Sequence, residues 1–287
     1  MNFMGIDIGT TSVKTAVFNE ALEQKKSLTA DYTLDAHGDI VEFDGEGYWE
    51  IVKGEIEKIK AEMNVDALAV DTQCETLILT DEFGTPVRPA IVWLDNRATE
   101  EAEIIAKHFG HQKVYEVTGQ PEITATWPAC KLLWVKRHEP EIWAKTKKVF
   151  LLEDWILYKM TGKFISEKTL QSSTIYFDIH HATWWNEMLE FIGVTSDMLP
   201  ALYSSAKKVG EYEGMQVVTG AIDQIAGAIG AGVVKPGIVS VMTGTTMSSS
   251  CPPIPFLPTI PPASCPATTT TTTNIVCFPG RPRRAWL

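Results

Sequence analysis

An apolar run that breaks at a Gly-Thr-Thr-Ser turn close to the start of the chain constrains the fold more than any other feature. Phe3, Met4 and Ile6 lead into Ile6-Asp7-Ile8-Gly9-Thr10-Thr11-Ser12-Val13-Lys14, and Val13, Ala16, Val17 and Phe18 resume the run. The spacing predicts strand, tight turn, strand. Gly9 lets the backbone come close to a ligand, and the main-chain N–H groups with the hydroxyls of Thr10, Thr11 and Ser12 can surround a phosphate. Asp7 stands at the strand end, where a carboxylate can hold Mg²⁺ or one of its waters. Lys14 adds a point charge for the phosphates. A surface hairpin with a polar turn uses the same residues, so this turn alone leaves both readings open. A second turn weighs toward phosphate: Ile238 to Met242 leads into Thr243-Gly244-Thr245-Thr246. Two such turns suit an ATP held between two related half-sites, each supplying a phosphate loop.

Composition narrows the class. A chain of 287 residues, 45% of them hydrophobic, is enough for one large or two medium domains with a substantial core. No apolar run reaches a membrane span and no signal-peptide pattern opens the chain, so a cytoplasmic protein with no membrane partner is expected. The net charge of −11 argues against a nucleic-acid surface. The five cysteines are odd in number and lack metal-type pairing, so neither a disulfide framework nor a zinc site is expected.

Taken in order, the chain alternates strands and helices. Ser27 to Glu42 is polar, with Tyr32, Thr33 and Leu34 as strand residues. From Tyr48, apolar residues at Trp49, Val52, Ile56, Ile59 and Met63 recur at helical steps. Ala67 to Val70 reads as a buried strand that delivers Asp71 to Glu75 to its carboxyl end, the edge where open α/β sheets bind ligands. Thr76 to Thr80 and Ala90 to Trp93 read as strands. Helices are expected through Ile104 and Ala106, from Ala129 to Val135, from Glu153 to a stop at Gly162, and from Trp184 to Phe191. Val217 to Gly220 is a strand leading to Ala221-Ile222-Asp223-Gln224, so Asp223 falls at a strand-to-helix junction. There an aspartate can serve as a helix N-cap, as a functional carboxylate held ionised by the helix dipole, or as both. This alternation places the chain in the α/β class.

Several elements together resemble the amino-terminal domain of the FGGY carbohydrate kinases, the family of glycerol kinase and xylulokinase. They are Asp7 to Ser12, Gln73-Cys74-Glu75-Thr76, Gly84-Thr85-Pro86 through Pro89 to Arg97, Gly220 to Gln224, Pro236-Gly237 and Thr243 to Thr246. The resemblance covers roughly residues 1 to 248 in order and spacing. It implies an actin/hexokinase-type ATPase (ribonuclease H-like) fold, a mixed sheet flanked by helices. The implied activity is ATP- and Mg²⁺-dependent phosphorylation of a polyol or ketose. By resemblance, Asp223 is the catalytic base and Asp7 the Mg²⁺ carboxylate. Gly9, Thr10, Thr11 and Lys14 match one phosphate loop, and Gly244, Thr245 and Thr246 the other. Cys74, Glu75 and Gln224 match sugar-binding positions. Trp127 is either an apolar wall for the sugar or a core residue.

Two departures follow. Glycerol kinases carry Arg where this chain has Cys74, which cannot make the same charged hydrogen bonds, and the Met-His of xylulokinases is missing as well. Family members also continue for about as many residues again. Residues 251–287 instead hold nine of the sixteen prolines, six consecutive threonines (Thr268 to Thr273) and no Asp or Glu. Such a segment has little means of packing a domain, and the abrupt change predicts a tail read out of frame, a natural disordered extension being the alternative. The expected organisation is a sugar-binding domain over 1–235, the first strands of an ATP-binding domain over 236–250, and the tail. A chain so divided is expected to turn over little. The reading from another class is a sugar-binding or regulatory module without catalysis, forming a homodimer through its truncated face. An actin-like polymerising ATPase would share the phosphate turns but leave Gln73 to Thr76 and Trp93 to Arg97 unexplained.

Overall fold

The computed structural model describes residues 1–235, 238–243, 247–250 and 274–276. Two units are distinguished, Met1–Asp223 and Gln224–Leu287.

In the first unit the order is β1 (Asn2–Ile8), β2 (Ser12–Asn19), β3 (Gln24–Asp31), β4 (Asp35–His37), β5 (Ile40–Phe43), α1 (Gly45–Lys60), β6 (Ala67–Thr72), β7 (Leu77–Thr80) and β8 (Ala90–Ile91). Then come α2 (Thr99–Phe109), α3 (His111–Thr118), α4 (Pro128–His138), α5 (Pro140–Lys145), β9 (Lys148–Leu151), α6 (Leu152–Thr161), β10 (Ile165–Glu167) and α7 (Lys168–Gln171). The series closes with β11 (Phe177–Asp178), β12 (Thr183–Trp184), α8 (Asn186–Ile192), β13 (Ala201–Tyr203), β14 (Lys208–Tyr212), β15 (Met215–Ile222) and α9 (Asp223–Gly230), which carries the chain into the second unit.

The central sheet is mixed, in the order β14-β15-β6-β1-β2-β3. Its three middle strands, β15, β6 and β1, run parallel, and the outer pairings are antiparallel. Alternation in β1 buries Met4, Ile6 and Ile8 on one face. Against that face lies α1, capped by the Asp44 side chain, which accepts from Glu46 N, and burying Tyr48, Trp49, Val52, Ile56 and Ile59 at helical spacing. Trp155, Ile156 and Leu157 of α6 complete this core. A second sheet, β4-β5-β8-β7-β9, and helices α2, α4 and α8 enclose another cluster that includes Leu77, Ile105, Leu132 and Met188.

Two expected elements differ in detail. Tyr32 to Leu34 link β3 to β4, and the Tyr32 ring packs against Phe43 and Tyr48. Trp184 belongs to a short hairpin, pairing with Phe177, and Trp185 N donates to Tyr176 O at 2.8 Å. These pairings hold the two tryptophans out of the helix, which starts at Asn186.

In the second unit, β16 (Ser240–Thr243), β17 (Met247–Ser250) and β18 (Asn274–Val276) form a small sheet in that order. No helix of the described residues is long and apolar enough to cross a membrane.

Candidate active site

Three parallel strands bring three carboxylates to one edge of the central sheet. Asp7 near the end of β1 lies in register with Asp71 of β6 on one side and Lys14 of β2 on the other. Asp223 follows directly on the end of β15, next to β6. Such a row concentrates negative charge. Burial, then the Asp7 and Asp223 carboxylates, push the Asp71 carboxyl up to about 8. Asp7 is also raised by burial, an effect that Lys14, 3.8 Å away, opposes. Two neighbouring carboxylates beside one exposed lysine suit a divalent cation, which would relieve their repulsion.

The turn after β1 is closed by Gly9 N donating to Ser12 O at 3.0 Å, and Tyr32 N donates to Thr11 O at 3.0 Å. The Tyr32 hydroxyl donates to Gly9 O. Trp93 Nε1 donates to Thr10 Oγ1 at 3.0 Å, so the loop after β8 helps to fix the turn. Thr11 stays exposed and Thr10 partly so.

After β6 the chain turns sharply: Thr76 N donates to Cys74 O at 2.8 Å, and Glu75 takes the left-handed conformation with φ 59°. A glutamate held there is under strain of the kind that collects at binding sites. Gln73 anchors the turn, its N donating to Ile8 O at 2.8 Å and its Nε2 to Tyr48 Oη at 3.2 Å. Glu75 is pushed up to about 8 by burial, against the pull of Lys131 and together with the charge of Asp223. Lys131, fully buried on α4, donates to Val92 O at 2.8 Å and Trp93 O at 3.3 Å. Burial brings its amine down to about 8. The Cys74 thiol, 7% exposed, lies 3.7 Å from Asp223 Oδ1, and burial pushes it well up, so it faces the aspartate as a neutral donor.

The structure thus gathers Asp7, Lys14, the Gly9-to-Thr11 turn, Cys74, Glu75 and Asp223 at one sheet edge. Trp127 packs in the core, 7% exposed, with Nε1 donating to Glu122 O at 2.8 Å. Gln224 is the first residue of the second unit. Gly244, Thr245 and Thr246, with Pro236 and Gly237, lie outside the described residues. Sequence reasoning did not single out Asp71 or Lys131. Asp71 carried a signal, its place at the end of a buried strand; Lys131 carried none, because a lysine within a helical pattern reads as solvent-facing.

Glu100, Glu101 and His138 also bring ligand-type atoms within 4.8 Å of one another. Arg137 already bridges both glutamates, and the knot joins the acidic start of α2 to the basic end of α4, where each charge suits its helix end.

Known proteins resemble this chain in sequence and in fold. The chain is 31% identical over 261 residues to a xylulose kinase of Escherichia coli K12, a match covering 85% of this chain and 53% of that one. It is likewise 31% identical over 256 residues to a glycerol kinase of Lactobacillus delbrueckii, covering 82% and 51%. The crystal structure of a xyloylose kinase from Brucella ovis superposes with a TM-score of 0.81 at 27% identity, over 86% of this chain and 53% of that one. The fold is accordingly that of the actin/hexokinase-type ATPases. The chain spans about half the length of the curated relatives it matches. Residues 2–232 match the N-terminal domain of the FGGY family of carbohydrate kinases, and the chain belongs to that family.

Proposed function

We propose that this chain carries the sugar-binding half of an ATP-dependent carbohydrate kinase that phosphorylates a polyol or ketose hydroxyl. The observation that carries the reading is the placement of Asp223 at the end of β15, its Oδ1 3.7 Å from Cys74 Sγ, at the sheet edge that also holds Asp7. Asp223 accepts the proton of the attacking hydroxyl as its oxygen meets the γ-phosphorus. Glu75 accepts hydrogen bonds from neighbouring sugar hydroxyls, and Gln224 is assigned to the same sugar. Backbone N–H groups of the Gly9-to-Thr11 turn, the Thr11 hydroxyl and Lys14 hold phosphate oxygens. Asp7, with Asp71 beside it, is the carboxylate for Mg²⁺, which when bound supplies countercharge to the nucleotide phosphates. Gly244, Thr245 and Thr246 are assigned to the second phosphate loop, and the domain limits to 1–235, 236–250 and 251–287.

Cys74 bears on the substrate. A neutral thiol offers no charged donor to a hydroxyl, so recognition falls on Glu75 and Asp223, and ketoses and longer polyols are favoured over glycerol. The relatives include xylulose kinases, glycerol kinases and a gluconokinase, so the preference over glycerol rests on Cys74 alone. A cytoplasmic setting is part of the proposal.

The test is an ADP-release assay on the purified chain with a panel of polyols and ketoses, Asp223→Asn serving as the blank. Melting temperature is followed in parallel. A member of the panel is expected to raise the melting temperature of the chain, and any ADP release is expected to vanish in Asp223→Asn. No shift with any sugar, or release that survives Asp223→Asn, refutes the assignment. Ile229, Val234, Ile238, Val239 and Val241 of the second unit are between 41% and 62% exposed, and these exposed apolar side chains favour a second reading in which the chain self-associates as a non-catalytic sugar-binding module. Sugar binding without ADP release, by a dimer in sedimentation, would favour that reading.

A further inference from the structure

Strand β15 does not run evenly into Asp223. Thr219 pairs with Val70 and Ile222 with Thr72, so Gly220 and Ala221 together face the single residue Asp71. A bulge of this kind frees backbone N–H groups that must find partners elsewhere. Gly220 N donates to Glu153 Oε1 at 3.2 Å, and Ile222 N donates to Thr169 Oγ1 at 3.1 Å. Both acceptors come from outside the sheet, Glu153 from the first turn of α6 and Thr169 from α7. The Thr169 hydroxyl donates in turn to Glu167 Oε2. Glu167 is itself tied down, since Oε2 also accepts from Thr169 N at 2.7 Å and Oε1 accepts from Ser205 Oγ at 2.8 Å. The two amides on either side of Ala221 are therefore held by one carboxylate directly and by a second through a hydroxyl.

Packing alone does not account for this arrangement. Glu153 is fully buried, its neighbours include the Glu167 and Asp154 carboxyls, and no ion pair is made to it among the described residues. Its second oxygen, Oε2, has no hydrogen-bond partner there. A buried carboxyl so placed costs stability that an apolar side chain of similar volume would not. What it does hold is the backbone three residues before Asp223.

We propose that Glu153 and the Thr169–Glu167 pair are positioning residues for Asp223, two buried acceptors that fix the bulged end of β15 from which the aspartate is presented. That role rests on the assignment of Asp223 as the base, while the clamp itself consists of the hydrogen bonds from Gly220 N and Ile222 N. The experiment compares Glu153→Ala with Glu153→Gln and Thr169→Val with Thr169→Ser, all in the full chain. Hydrogen exchange is followed at the Gly220 and Ile222 amides, and the ¹³C carboxyl resonance of Asp223 is identified by its loss in Asp223→Asn.

Glu153→Ala is expected to speed exchange at Gly220, and Thr169→Val at Ile222, by about tenfold or more, and both to shift the Asp223 carboxyl resonance. The Gln and Ser variants, which keep an oxygen acceptor, restore both readouts. Should Glu153→Ala fail to fold, the Thr169 pair carries the comparison, judged by the same amide and the same resonance. An unchanged Asp223 resonance in a folded Ala or Val variant overturns the proposal, and so does an equal shift in the Gln and Ser variants. Neither readout uses turnover. ADP release that survives Asp223→Asn refutes the base assignment and leaves the clamp standing or falling on its own signals.

Discussion

Among the described glycines, Gly220 is the one where an added methyl group meets backbone most closely. A Cβ built there lies 1.9 Å from Val70 O on the adjacent strand β6, a backbone atom that cannot swing away. Reaching ordinary contact demands a separation of about 1.5 Å between β15 and β6 at the bulge. Such a shift strains the ladder bonds on either side and the Gly220 N to Glu153 Oε1 bond, each worth about 1 kcal/mol. Overpacking adds about 1–3 kcal/mol, so Gly220→Ala is expected to lower stability by about 4 kcal/mol. At about 2–4 °C per kcal/mol for a domain of this size, the melting temperature falls by about 12 °C. The assay is thermal unfolding by circular dichroism at fixed pH and protein concentration. Gly54→Ala is the control: it lies inside α1 with nothing within 4 Å of the added methyl, and is expected to gain up to about 1 kcal/mol. A Gly220→Ala chain that melts within about 2 °C of wild type would show that β15 and β6 are not locked at this point, and the argument from close approach would fail.

Arg97 joins Asp95, fully buried, by Nε at 2.9 Å and Nη2 at 2.7 Å, reaches Glu42 at 2.6 Å, and lies over the Trp134 ring at 4.9 Å. Arg97→Met strands that carboxylate and is expected to cost about 3 kcal/mol or more in urea unfolding; an unchanged midpoint would sink the point. Burial pushes the Asp154 carboxyl up to about 8, with Glu167 adding to the rise, so the folded chain keeps a proton that the unfolded chain releases above about pH 4. The folded state then binds more protons than the unfolded one over that window, and this group makes stability fall as pH rises from about 4 to about 8. Asp154→Asn is expected to gain in melting temperature relative to wild type between about pH 5 and 8, and a difference constant with pH would refute the linkage. Asp7→Asn is expected to weaken calorimetric binding of Mg²⁺-ADP by about tenfold or more, with binding of metal-free ADP changed far less. Equal losses with and without the metal would remove Asp7 from its assigned role.

Much of the layout follows from local pattern. Met4, Ile6 and Ile8 alternate as a half-buried strand must, and Tyr48 to Ile59 repeat as an amphipathic helix must, so β1 and α1 are legible from the residues alone. Asp7 and Asp223 are legible because each ends an apolar run next to glycine or small residues. Lys131 and Glu153 are defined by neighbours distant in sequence. A lysine buried against Val92 O and Trp93 O looks, in a helical pattern, like any surface lysine. The bulge of β15 is equally silent, since its register is set by β6, more than a hundred residues earlier. Trp127 shows the reverse problem: its size marks it as important, and only packing tells whether it meets a ligand or a core.

The parallel trio β1, β6 and β15 ends at Ile8, Thr72 and Ile222, and that order sets when the site can exist during synthesis and folding. Parallel neighbours cannot be joined by a tight hairpin, so each new pairing must close a long loop before it gains any contact. The first two carboxylates can meet once β6 docks on β1. The third arrives only when nearly the whole of the first unit has been made and β15 has found β6. A sugar that touches both Glu75 and Asp223 would therefore bind the folded strand pair and not its precursors, acting as a latch on the last step of assembly.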